Sequence, residues 1–211
     1  MSQLAVTVDT VFGLAFDIEK APERKSGFKP AQCDLGAKKE LFGDVRLAGF
    51  AALLMLGFAK KLIVIGGKEG RYKNEEPAIG RAFAICEMLT KDLNVEPACV
   101  SHVISEPNTG GNIAVISHRI ISDDNLSIYN YAVVSNHYHI PRIKMDLRAG
   151  GLPLVPIYPA EAFLLVDQEK SEENKQELII RFGRGPLAER MVEEIQGIAH
   201  KLAGTYQAKS K

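Results

Sequence analysis

Tryptophan is absent from the 211 residues, and cysteine is scarce. The three cysteines, Cys33, Cys86 and Cys99, stand far apart with no CxxC pair. An odd count without that spacing suggests neither a disulfide framework nor a cysteine zinc site, and free thiols are the norm in a reducing compartment. Net charge is lacking too: 26 basic and 26 acidic side chains cancel. With no basic surplus and no basic tract, the charge pattern gives no sign of nucleic acid or of an anionic membrane surface as partner. Long apolar runs are missing. The most apolar segment, Leu47 to Phe58, is too short for a membrane span and is flanked as a core helix would be. The amino-terminal MSQLAVTVDT has neither the basic start nor the apolar stretch of a signal peptide. These absences lead us to expect a soluble, cytoplasmic protein. They leave its oligomeric state open.

What is present is an alternation of strand and helix patterns. Val6 to Phe16 reads as a first strand, apolar enough to be covered on both faces. Asp17 to Ala37 reads as a long loop without periodicity, and loops of that length usually carry function. Asp44 suits the cap of a helix running to Phe58, with Ala48, Ala51, Ala52, Met55 and Phe58 at helical spacing. Leu62 to Ile65 is a short strand ending at Gly66-Gly67. Pro77 opens a helix through Lys91 with Ile79, Phe83, Cys86 and Leu89 on one face. Val100 to Ile104 and Tyr131 to Val134 are further strands, each followed by a polar turn and a helix. Leu154 to Tyr158 is a fifth strand, and Glu161 to Val166 a short helix. Such alternation argues for right-handed crossovers and a mostly parallel sheet. The expected class is a Rossmann-like three-layer αβα sandwich over residues 1–166, with residues 167–211 a helical extension packed on the same domain.

Two polar turns carry the candidate chemistry. Glu106-Pro107-Asn108-Thr109-Gly110-Gly111-Asn112 precedes the third helix. Asn108 or Thr109 accounts for its cap. Two glycines in its first turn weaken it by roughly 1 kcal/mol each against alanine, so something is expected to approach the backbone closely. Ser135-Asn136-His137-Tyr138-His139-Ile140-Pro141-Arg142 joins a strand to a helix opened by Pro141. Arg142 lies in that helix's first turn, where the macrodipole disfavours a cation by about 0.3–1 kcal/mol unless an anion offsets it. His137 and His139, if extended, would share one face. No third ligand stands at metal spacing, so no metal is assigned, and proton transfer or anion contact is preferred for a histidine there. Gly66 and Gly67 would let a ligand approach the end of their strand.

These two segments resemble an S-x-N-T-x-E-N motif and a T-S-x-x-H-M-P-R motif, hallmarks of the bacterial YdcF/SanA/ElyC-like family. The resemblance covers roughly Val6 to Ala162. It implies a Rossmann-like fold and site positions at Asn108, Thr109, Asn112, His139 and Arg142, with Gly66 and Gly67 lining the pocket. It also brings in S-adenosylmethionine as the candidate cofactor. Glu106 stands where the family usually has serine, and Gly111 where it usually has glutamate. The expectation is a small anionic or nucleotide-like ligand held by Gly66, Gly67, Asn108, Thr109, Asn112, Ser135 and Arg142. His139 is the expected hydrogen-bond or proton donor, and group transfer or hydrolysis the expected chemistry. The alternative is a non-catalytic interaction protein that keeps the fold. No reaction is fixed by the sequence.

Overall fold

Val8–Leu14 is the middle strand of a five-stranded sheet, and both of its neighbours run parallel to it. The computed structural model describes residues 7–31, 43–67, 80–106, 108–122, 130–166 and 173. In chain order the elements are β1 (Val8–Leu14), β2 (Ile18–Lys20), β3 (Phe28–Pro30), α1 (Gly43–Met55), β4 (Ala59–Gly67), α2 (Arg81–Glu87), β5 (Val100–Ser105), α3 (Thr109–Ile121), β6 (Tyr131–Ser135), α4 (Ile140–Ala149), β7 (Ile157–Pro159) and α5 (Ala160–Val166). The sheet order is β5-β4-β1-β6-β7, and every pairing is parallel. The chain first steps outward from β1 through β4 to β5. It then returns to the other side of β1 as β6. The crossovers therefore reverse direction between β1 and β6, the place where open α/β sheets form a crevice beyond the strand carboxyl ends. This is the expected three-layer, Rossmann-like architecture.

The two-residue period of the strands divides the core into two layers. On one face, Val11, Leu62, Val64, Ala132 and Val134 pack with Phe50 and Leu53 of α1, Ile85 of α2 and Phe163 of α5. On the other, Phe12, Ile65, Tyr131 and Val133 pack with Ile113 and Ile116 of α3 and Ile143 and Leu147 of α4. Each of the Val, Leu, Ile and Phe side chains among them, fully buried, contributes roughly 1.5–3 kcal/mol. Alpha-carbon approach is close where α1 meets α5: a Cβ on Gly49 would lie 2.5 Å from the Ala160 carbonyl oxygen. That contact fixes the start of α5 against α1.

Several sequence expectations are corrected. Of the loop expected over 17–37, residues 17–31 are not structureless, and 32–37 lie outside the described residues. The described part holds the antiparallel hairpin β2–β3, whose turn is tied down by Ser26. Ser26 donates to Asp92 through its backbone N–H at 3.0 Å and its hydroxyl at 2.6 Å. Three-residue strands are too short to show a period. Asp44 lies inside the first turn of α1 rather than capping it, a position the helix dipole favours equally. The helix stops at Met55, which is exposed, and Gly57 turns the chain with φ of +69° so that Phe58 enters the core separately. In α2 the buried face is Ala82, Ala84 and Ile85, while Phe83 is exposed and meets the His102 ring edge-on at 5.5 Å. The last strand is Ile157–Pro159, and Leu154 is exposed. Pro77, Ile79 and the extension expected over 167–211 lie outside the described residues, Glu173 apart.

Candidate functional site

The turn before α3 is built around Asn108. Its backbone is extended, and its side-chain oxygen accepts from the Gly111 N–H at 2.7 Å, satisfying one of the helix's first amides. Gly111 needs no ligand to explain its crowding. A Cβ on Gly111 would lie 2.6 Å from the Cβ of Glu106, so the chain's own Glu106 fills that space. Any side chain at 111 would therefore force residue 106 to shift, whatever stands there. Asn112 is buried and accepts a short hydrogen bond from the Ser105 hydroxyl.

The turn after β6 starts from Ser135, which is fully buried. Tyr131 and Val133 face α3 and α4, so alternation directs Ser135 to that side too. Its hydroxyl has no hydrogen-bond partner among the described residues. His137–His139 form a 3-10 turn rather than an extended segment, so the shared face expected of the two imidazoles is not formed. Tyr138 enters the α1-side core, with its ring 4.5 Å from that of His139 and 6.0 Å from that of His137. Pro141 sits in the first turn of α4, as expected. Arg142, one residue on, donates through Nη1 to the Thr109 hydroxyl at 3.4 Å. The first turns of α3 and α4 thus meet, although 33 residues separate the two side chains.

A second polar system, buried on the α1 side, was not foreseen. Arg46 of α1 is only 2% exposed. Its Nε donates to the Asn136 side-chain oxygen at 2.6 Å, and its Nη1 to the carbonyls of Leu14 and Ala15 at 3.1 Å each. Its guanidinium also lies 5.9 Å from the centre of the Phe16 ring. Asn136 passes the polarity on, donating through Nδ2 to Glu161 Oε1 at 2.8 Å. Glu161, in the first turn of α5 and 5% exposed, also accepts from the His137 backbone N–H at 3.2 Å, and its Oε1 lies 3.3 Å from His137 Nδ1. Burial alone would raise the Glu161 carboxyl, but hydrogen bonds from His137 and Asn136 outweigh it and hold the group below its ordinary value. The carboxylate stays charged.

Both systems sit at the carboxyl edge of the sheet, one on each side of β6. The structure brings Thr109 and Arg142 into contact and places Asn108 and Asn112 in the same turn as Thr109. Gly66 and Gly67 end β4 beside Ile104 and Ser105 of β5. A Cβ on Gly66 would overlap that of Ala15, which gives this glycine a packing reason of its own. His139 opens α4 and donates its backbone N–H to the Asn136 carbonyl at 3.0 Å. The residues that sequence reasoning missed are Arg46 and Glu161. Arg46 lies in an otherwise apolar helical stretch, and a charge among Val45, Leu47 and Phe50 was the signal available. Glu161 gave none, since an acid in a first helical turn is ordinary. Burial, with the Glu87 carboxylate beside it, pushes the Cys86 thiol up to about 12. Among the described residues no cluster of three metal-ligating side chains occurs, and no helix is long and apolar enough to cross a membrane. In comparisons with known proteins, no family model matches the chain, and neither a curated protein nor a solved structure does.

Proposed function

We propose that this protein binds a small anionic molecule, nucleotide-like or phosphorylated, at the carboxyl edge of its sheet beside the first turns of α3 and α4. The observation that carries the reading is the Arg142–Thr109 contact at 3.4 Å, which joins a guanidinium to a helix amino end across two distant segments. Helix amino ends and arginine both favour phosphate or carboxylate. The orphan Ser135 hydroxyl, buried on the same side, adds a polar group for a ligand to satisfy. In this reading Arg142 holds the anionic group, Thr109, Asn108 and Asn112 shape the turn around it, and His139 hydrogen-bonds the ligand. Gly66 and Gly67 form the neighbouring wall. On the strength of the two motif segments we propose the YdcF/SanA/ElyC-like family as the kinship; if the bound anion reacts, group transfer or hydrolysis is the chemistry we propose for it. S-adenosylmethionine is the first ligand to test on the same ground, its carboxylate taking the place of a phosphate at Arg142. Cys86 and Cys99 carry free thiols, which fits a cytoplasmic setting.

The test is thermal unfolding with S-adenosylmethionine, adenosine monophosphate and a sugar phosphate. A ligand at a hundred times its Kd stabilises the folded state by about 2.7 kcal/mol. One of the three should raise the melting temperature, and Arg142→Ala should abolish the rise. No rise with any of them, or an equal rise in the variant, would refute the assignment.

A further inference from the structure

The two edges of the sheet are built differently. β7 spans three residues and ends in Pro159, which has no N–H to offer a further strand. β5 spans Val100–Ser105, has no proline and no formal charge, and among the described residues is paired on one side only. Proteins usually blunt such an edge with lysine, proline or a bulge. Val103 packs toward α3, while His102 and Ile104 are exposed on the opposite face, toward α2. The His102 ring meets Phe83 edge-on at 5.5 Å, and Ile104 Cγ1 lies 3.7 Å from where a Cβ on Gly80 would stand, at the start of α2. Phe83 is 37% exposed and Ile104 45%. Phe83, His102 and Ile104 thus form one shelf that spans the helix layer and the edge strand.

We propose that two copies of this chain join along this edge, β5 running antiparallel to β5 of the second copy about a two-fold axis. An extended peptide would satisfy the backbone of β5, but it brings no helix layer to set against Phe83. A second copy brings an edge strand and a helix layer together. Charge favours the same occupant: β5 is uncharged, and the 26 basic and 26 acidic side chains of the chain cancel, so two copies meet without net repulsion. The register follows from the faces. Side chains directly opposite across paired strands share a face, so the axis must pass through a residue pair. Centred on Val103, it sets Ile104 against His102 of the second copy and Ser101 against Ser105. Centred on His102, it would set two imidazoles opposite each other, like charges once protonated. The Val103 register joins two five-stranded sheets into one and closes an open edge of each.

The test is sedimentation equilibrium of the full chain, joined to hydrogen exchange over residues 100–105 read by mass spectrometry, at protein concentrations up to about 100 μM. The expected mass is twice the 23.1 kDa of the chain, and exchange over 100–105 should slow as the dimer forms. Ile104→Glu and Phe83→Glu each bring two carboxylates close to the axis, at side chains that already meet solvent. Each should weaken association by about tenfold or more. A wild type that keeps the mass of one chain overturns the proposal. A dimer whose exchange over 100–105 is the same at every concentration overturns it too, as does one that both substitutions leave intact, because the contact then lies elsewhere. The exchange measurement is made on the wild type, so misfolding of either variant would not shield the proposal.

Discussion

Replacing Glu161 with glutamine leaves the shape of the buried network almost unchanged and removes its negative charge. In the wild type the carboxylate accepts from Asn136 Nδ2, the His137 backbone N–H and the His137 ring. A primary amide offers one accepting oxygen and turns an NH2 group toward the remaining donors. Hydrogen bonds to a charged group contribute about 1.5–3 kcal/mol each, and breaking a buried charged pairing costs about 3–5 kcal/mol. With one acceptor retained, the loss should fall at about 2–4 kcal/mol at pH 7. The sign of the pH dependence follows from the depressed carboxyl. Such a group stabilises the fold fully above its unfolded value, about 4.3 for glutamate, and the contribution is lost as pH falls through the folded value. Urea unfolding of both proteins from pH 7 into acid should show a gap that is full at neutrality and narrows below about pH 4. A gap under about 0.5 kcal/mol at pH 7, or one that widens in acid, would refute the argument that this carboxylate is the charged centre of the network.

Three further substitutions separate packing from binding. Ser135→Ala removes a fully buried hydroxyl that has no partner among the described residues, so stability should hold or rise by up to about 1 kcal/mol while ligand affinity drops; a clear stability loss in chemical unfolding would mean that the hydroxyl is structural. Asn108→Ala should cost about 1 kcal/mol through the lost bond to the Gly111 N–H, read in the same unfolding assay. Gly66→Ala should cost about 1–3 kcal/mol because its Cβ would collide with Ala15, and Ala15→Gly in the same chain should restore most of it; no rescue would mean that Gly66 serves something other than this contact.

The strand–helix alternation made the architecture readable, because a doubly covered parallel sheet leaves apolar strands and amphipathic helices in the residue order itself. The β6 turn was legible for a similar reason: Pro141 and the glycines at 150 and 151 mark both ends of α4. Hairpin β2–β3 was not legible, since three-residue strands held by a distant Asp92 have no local period. The glycines at 66 and 111 were read as openings for a ligand. Their neighbours, Ala15 and Glu106, show that close chain packing produces the same signature. The Arg46–Asn136–Glu161 relay escaped because its members are 90 and 25 residues apart and are joined only by the fold. No pattern in one sequence connects a charge in an apolar helix to an acid in a short one.

The central claim is that the meeting point of α3 and α4 holds an anion through Arg142. Calorimetric titration of the wild type and of Arg142→Ala with S-adenosylmethionine, adenosine monophosphate and a sugar phosphate tests it most directly. The account predicts saturable binding of at least one of them to the wild type. Affinity for that ligand should fall about tenfold or more in the variant, the equivalent of about 1.4 kcal/mol. Equal affinity in both proteins, or no binding heat with any of the three, would contradict it.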